Sequence, residues 1–530
     1  MKLQLAEAAL VPREHRIAYP NVEDGLVVGP RGVVRTFDAD AVVVGSGAGG
    51  AAAAGRLRDA GLDVLILEEG ELHRTESFRA DPIPSAQRLY RDAGTSPILG
   101  KPPMLFAEGR CVGGSTVING GMSWRTPDRV LQHWSRELGL EAMDPKTMEP
   151  YFDAAEKILN VEFQNEDTLG AHDKLFVEGA RRLGWEVKDN PRNVDRCVGL
   201  NNCAYGCPTG AKQSMLVTEI PRALAAGARL LTNARVWRIL TSGGRATGVR
   251  GRFVDEYGRR YGKFEVRAKL VVLAAGARFT PAILKRSWIR NRHIGRHLHT
   301  HPNAKVLGIF DRRIDPWRGA HQAHQIHQFL ADEGVMIAYA AVPPGLLAAA
   351  IPGFGRAHGD KMRLYNYMLS AGCLIEDGGE GKVGLGPDLQ PWMRFDIDKW
   401  DVEKIHRGVA HIAELMFAAG ARKVILPFGE FPEIASPDDI PRILARKHVR
   451  HDIELMTVHI MSSCRMAREA SDGPADAWGR LHDAPNVAIA DASAIPSSVG
   501  VNPMETIVAL ALRNAEKWAE QIRQDRQIRR

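Results

Sequence analysis

The stretch DADAVVVGSGAGGAAAAGRLRDAGLDVLILEEG, residues 38–70, leaves this chain few architectures. Ala41 to Val44 reads as a short buried strand. Gly45, Gly47 and Gly50 then spell G-x-G-x-x-G, which permits a tight turn, close backbone approach to a pyrophosphate and close helix–strand packing. The alanine-rich run to Asp59 continues as a helix whose N-terminal amides and dipole suit phosphate. Asp63 to Leu67 reads as a second strand, and Glu68 follows at its end, 23 residues after Gly45, where a carboxylate can accept both ribose hydroxyls. Glycine turns also join strands to helices where no phosphate binds. Here strand, turn, helix, strand and acid agree, and they predict a dinucleotide with an unphosphorylated ribose, FAD or NAD rather than NADP.

Two later segments choose between them. KLVVLAAGARFTPAIL, Lys269 to Leu284, is a further buried strand ending in Ala275-Gly276, and NVAIADASAIP, Asn486 to Pro496, is a third with Asp491 at its carboxyl end. Ligands of open α/β sheets sit at such carboxyl ends. Three of them, far apart in sequence, imply one long cofactor held by a discontinuous Rossmann-like domain, which suits FAD better than NAD.

The remaining bulk properties exclude other classes. A chain of 530 residues needs more than one ordinary core. A net charge of +7 is small for that length, and Lys and Arg are dispersed, so no nucleic-acid footprint is visible. The opening MKLQLAEAALVPREHRIAYP lacks an apolar run of signal-peptide length. The longest apolar stretch, Val335 to Ile351, is broken by Pro343 and Pro344 and cannot form a transmembrane segment. With six cysteines, too few for a disulfide framework in a chain this large, these features fit a cytoplasmic protein, with a peripheral position on a membrane left open.

GRCVGGSTVINGGMSW (Gly109 to Trp124), VHIMSSCRM (Val458 to Met466) and IPSSVGVNPMETIVALALRNAEKWA (Ile495 to Ala519), together with the glycine motif, resemble the glucose-methanol-choline (GMC) family of FAD-dependent alcohol oxidoreductases. Within it the likeness is to the long-chain alcohol oxidases and cholesterol oxidase, and it runs from about Ala39 to Gln521. The resemblance implies an α/β fold: a discontinuous FAD-binding domain from 39–135, 205–300 and 455–525, and a substrate domain with a mainly antiparallel sheet from 136–204 and 301–454. Residues 1–38 form an extension without a counterpart. It also implies that Gly113, Gly114 and Ser115 lie against the FAD pyrophosphate, Asn119 and Gly120 near the flavin ring, Val236 at the adenine, Asp491 at the pyrophosphate and ribityl region, and that Pro503 is among the cofactor-binding residues. His459 matches the active-site histidine and Asn502, 43 residues on, its partner. The chain departs from the family's H-x-x-G-T-C-R-M-G by carrying Ser462, Ser463 and Ala467.

Oxidising an alcohol by hydride transfer to flavin requires a group to take the hydroxyl proton, and a neutral histidine suits that task. His459 is therefore the candidate base and Asn502 the orienting partner, against the alternative of a core histidine and a turn residue before Pro503. Other histidines are read as structural: His293, His297, His299 and His301 in one loop, with no acidic group around Thr300, and His321, His324 and His327, spaced by three, on a polar loop or helix face.

CVGLNNCAYGCPTGAK places Cys197, Cys203 and Cys207 within eleven residues. Iron–sulfur sites use cysteine thiolates followed by proline, and some sugar dehydrogenases of the family look similar here, with a 3Fe-4S cluster feeding a cytochrome. The continuation GCPTGAKQS instead resembles the alcohol-oxidase loop that leads into the FAD domain, and on that likeness the cysteines are read as structural. Oxygen, a quinone or a redox protein remain open as electron acceptor. The substrate is expected to be a small-molecule alcohol, apolar or bulky, with Met336 to Ile351 either lining its pocket or filling core; a sugar dehydrogenase and a non-catalytic flavoprotein are the alternatives.

Overall fold

A computed structural model describes residues 17–28, 32–342, 344–447 and 451–528. Of the N-terminal extension, residues 1–16 lie outside the described residues, and so does Pro343 in the apolar stretch.

Among the described residues nine strands form one sheet, in the order Val22–Asp24, Arg229–Thr232, Val64–Leu67, Val34–Val44, Arg260–Leu273, Arg245–Val254, Ala234–Ser242, with Ala484–Ile489 parallel to Arg260–Leu273 and Arg480–Leu481 on its outer edge. The first five run parallel, as strand–helix–strand crossovers require. The first strand of the glycine motif begins at Val34, seven residues before the expected Ala41. VRTFDAD alternates in burial because only one face is covered, whereas AVVV is buried on both, and the continuous apolar run alone signals a strand. Residues 22–24 and 34–38 thus belong to this sheet's edge and lead strand rather than standing apart from it.

The helix Ala48–Asp59 buries its glycines and alanines against the strands and against the C-terminal helix Met504–Ile528. Small side chains allow that approach: a Cβ on Gly49 would stand 1.6 Å from the Ala490 carbonyl oxygen.

A second sheet, twelve strands among the described residues, is mainly antiparallel and stands at the carboxyl ends of the first. Its central strands are Asn303–Ile309, Met368–Ile375, Val335–Tyr339 and His324–Ile326. On the other side of Asn303–Ile309 come Leu455–Thr457, Met104–Phe106, Ser96–Leu99 and Pro391–Arg394. Strands 96–99 and 104–106 therefore pair here although the sequence reading places them with the nucleotide segments. The helix Lys399–Ala418 covers one face of this sheet; Asp398 caps its N-terminus and Gly420, at φ +96°, turns the chain into Lys423–Ile425.

Two histidine segments differ from expectation. HLHTHPN contains the strand His299–Thr300, paired with Ile460–Met461 beside His459, and an acid does serve it: Asp377 lies 3.0 Å from His299 Nδ1 and accepts from the Thr300 amide. That carboxylate comes from 77 residues away, so no local reading finds it. The histidines spaced by three fall on the strand His324–Ile326 and its approaches, not on a helix; burial of Gln325 and Ile326 and pairing with Val335–Tyr339 override a period that happens to be near 3.6. No helix among the described residues is long and apolar enough to cross a membrane.

Asn486 stitches the first sheet together: its amide accepts from the Ala246 amide at 2.9 Å and donates to the carbonyls of Ala246 at 2.7 Å and Lys269 at 3.0 Å. Asn486→Ala leaves those buried groups unpaired and is expected to lower stability by about 2–4 kcal/mol, read as a fall in the urea midpoint.

Candidate active site

The glycines of the first turn have separate duties. Gly45 sits at φ +108°, and a Cβ there would meet the Ala274 carbonyl oxygen at 2.2 Å; a Cβ on Gly50 would meet Gly45 O at 2.0 Å. These two make the turn and its packing. Gly47 is different: the nearest atom to its would-be Cβ is Gly114 Cα at 4.0 Å, and it opens on a cavity. It is also the N-cap of Ala48–Asp59 with no side chain covering the first amides.

Glu68 closes the turn from the side. Its carboxylate accepts from Ser46 N at 3.0 Å, Ser46 Oγ at 2.6 Å and Gly70 N at 2.8 Å, while burial pushes its pKa up. Ser46 Oγ in turn accepts from Gly113 N at 3.0 Å, which ties the first loop to the Gly113-Gly114-Ser115 segment. Gly113 thus supports the site from behind, as does Gly50, whereas Gly114 and Ser115 line the cavity. Asp491 is buried with all its acceptor capacity used: Gly276 N and Thr280 Oγ1 on one oxygen, Ser493 N and Oγ on the other. It caps both the helix Gly276–Arg286 and the turn Ala492–Ala494, holding two strand ends at one place. Val236 lines the cavity on the Glu68 side, next to a register shift in its strand.

One cavity of about 710 Å³ runs from the glycine turn, past Glu68 and Val236, to Asn119, Gly120, His459, Asn502 and Pro503. Two buried amide oxygens in it, Asn119 Oδ1 and Asn502 Oδ1, have no hydrogen-bond partner in the protein. Buried polar atoms are rarely left so. An elongated slot that opens at Gly47 and ends at unsatisfied polar atoms fits a dinucleotide with a polar ring system at the far end, and FAD meets both demands.

At that far end His459 lies between two partners. Asn502 Nδ2 is 3.4 Å from its Nε2, and His301 Nδ1 is 3.1 Å from its Nδ1, with the two rings edge-on. Burial pushes His459 down to about 4, and burial with the neighbouring His459 and His299 holds His301 well below the ordinary histidine range. Both rings are neutral at neutral pH. Ser462 takes the place of the motif's glycine at φ +67°, so the left-handed turn after His459 is retained at some strain, and Ser463 Oγ anchors it to the Ala277 carbonyl at 2.6 Å.

Two polar centres had no signal in the sequence. Glu69 is gripped by Arg91 at 2.9 Å, Arg110 at 3.1 Å and Arg235 at 2.5 Å; burial alone would raise its pKa, and the three guanidinium groups hold it well below the carboxylate range. Lys212 is buried with Nζ donating to the carbonyls of Val117, Asn119 and Cys203 at 2.7, 2.8 and 2.7 Å, and burial pushes it down to about 8. The cysteine segment is therefore clamped to the backbone that carries Asn119. Cys203 Sγ lies 3.6 Å from Arg192 Nη2 and Cys207 Sγ 3.3 Å from Thr209 Oγ1; Cys197 is half-buried. Among the described residues no three His, Cys, Asp or Glu side chains are gathered as metal ligands. Cys111, Cys373 and Cys464 are buried, and burial pushes their thiols up.

The chain is similar to known proteins. Models described as GMC oxidoreductase match residues 86–303 and 381–511, and one described as FAD binding domain matches 40–81. The chain is 36% identical to a GMC-type oxidoreductase of Mycobacterium tuberculosis over 96% of this chain and 80% of that one. It is 30% identical to a long-chain-alcohol oxidase of Arabidopsis thaliana over 89% of this chain and 66% of that one. Among solved structures, pyridoxine 4-oxidase from Mesorbium loti superposes with a TM-score of 0.68 at 20% identity, covering 90% and 99% of the two chains, and formate oxidase with 0.69 at 14%, covering 93% and 100%.

The different duties of the glycines can be separated. Gly47→Val is expected to purify folded but colourless and to melt with FAD-stripped wild type; Gly50→Val, whose side chain collides with backbone, should melt below the stripped protein. Flavin absorbance and thermal unfolding check both.

Proposed function

From the premise that this chain belongs to the GMC oxidoreductase family and is an FAD-dependent oxidoreductase acting on CH–OH groups, we propose that His459 is the base that takes the hydroxyl proton from an alcohol with an apolar body. The observation that carries this reading is the neutral His459, held between Asn502 and His301 at the end of the cavity. Bound FAD supplies a two-electron acceptor for the hydride that leaves the carbinol carbon.

The chain's own part is to hold and deprotonate the alcohol. For Nε2 of His459 to accept a proton, the ring must carry its own proton on Nδ1, and His301 Nδ1, 3.1 Å away, then acts as the acceptor that fixes this tautomer. Asn502 at 3.4 Å is at the long limit of a hydrogen bond, so it aims Nε2 without saturating it, and its unpartnered Oδ1 remains available to the substrate or the protonated ring. Gly47, Gly114 and Ser115 would hold the cofactor's phosphates, Asp491 would fix the Gly276 turn that lines its linker, and Asn119 and Pro503 would stand at its ring.

The apolar body follows from the wall opposite. Met336, Ala338, Ala340 and Val342 line the cavity, while Leu347 and Ile351 of the same stretch pack in a small core cluster. The stretch therefore serves as lining and as filler in turn. The Arabidopsis relative's name, long-chain-alcohol oxidase, supports both the greasy substrate and oxygen as acceptor.

His459→Ala is expected to slow flavin reduction at least about 100-fold with FAD still bound, and Asn502→Ala less; anaerobic stopped-flow with an alcohol panel measures both. Because the base works in its neutral form and its pKa lies near 4, the reduction rate should stay level from neutral pH downward and be halved only where the pH reaches about 4. A fall centred at the ordinary histidine value would assign the proton to another group.

A further inference from the structure

The second sheet carries a charge that the chemistry above does not use. Lys305 points from the strand Asn303–Ile309 into the cavity, is pushed down to about 8 by burial, and has no hydrogen bond or ion pair to any described residue. Glu454, just before the neighbouring strand Leu455–Thr457, makes no ion pair with it. Two residues earlier on the same face, Asn303 lines the same cavity, and its Oδ1 is buried without a partner. The residue paired with Lys305 across the sheet is Gly372. A Cβ there would stand 2.7 Å from Lys305 Nζ and 2.6 Å from Asn303 Oδ1, so the ammonium and the amide converge on one point that only glycine leaves free.

We propose that Lys305, Asn303 and Gly372 form a subsite for a carboxylate, so that the alcohols this site takes are hydroxy acids whose hydroxyl is remote from the acid. An uncompensated ammonium at a cavity wall is matched by an anion. The amide of Asn303, rotated about its last bond, donates to the second carboxylate oxygen. Lys305 follows His301, the partner of His459, by four residues, roughly 13 Å of extended chain, so several carbons separate the oxidised carbon from the acid; a 2-hydroxy acid does not span them.

This assignment rests on the alcohol-oxidation reading, and one set of measurements separates the two. Hexanoate binding to the FAD-loaded protein, by calorimetry, tests the subsite without turnover; the kcat/KM ratio for 6-hydroxyhexanoate over 1-hexanol tests it during turnover. Wild type is expected to bind hexanoate and prefer the hydroxy acid. Lys305→Gln should lower both the hexanoate affinity and the ratio by about ten- to a hundredfold. A ratio within one protein is independent of how much of the variant folds. Hexanoate bound equally well by wild type and Lys305→Gln, or not bound by a wild type that oxidises 1-hexanol, would overturn the subsite. Lys305-dependent hexanoate binding in a protein that oxidises neither alcohol would uphold the subsite and overturn the oxidation reading.

Discussion

A buried carboxylate with every lone pair occupied holds the site together. Asp491 lies in a core where an unpaired charge would cost several kcal/mol, and it is kept there by donors from Gly276, Thr280 and Ser493. Those donors belong to two crossings that leave the same sheet edge. Satisfying one side chain thereby sets the spacing of the strand ends, and the slot between them inherits its width. Glu68 repeats the device through Ser46 on the opposite side.

Histidine and lysine are placed by the second sheet in a contrasting way. Burial moves His459, His301 and Lys305, which line its side of the cavity, toward their neutral forms. The first sheet spends hydrogen bonds on fixed acids; the second withholds counter-charges from bases. The proposed proton acceptance at one end and the proposed anion recognition at the other both draw on that difference.

How much of this was legible depended on the range of each interaction. The glycine turn and the alanine helix are local patterns, and the motif blocks around His459 and Asn502 carried the site's far end. Partnerships formed across the sheets were not legible: His301 with His459, Asp377 with His299, three arginines on Glu69, Lys212 on three carbonyls. Each joins residues separated by many positions, except the grip of Lys212 on Cys203, and pairing at that range leaves no periodicity. The histidines spaced by three misled for the complementary reason, since a short accidental period outweighed the strand's unseen neighbours.

The way Arg260–Leu273 is flanked has a consequence for synthesis. It pairs with Val34–Val44 on one edge and receives Ala484–Ile489 on the other, more than two hundred residues later. Contacts of such separation close slowly because the loop's entropy is lost before they form. A nascent chain that has emerged only as far as the second sheet still lacks the strand that brings Asp491, so the cofactor slot has no floor until residue 491 has left the ribosome. Capture of FAD would therefore follow translation of the C-terminal segment, and a growing chain would present the uncovered end of Arg260–Leu273, from Val271 to Leu273, to chaperones during the interval.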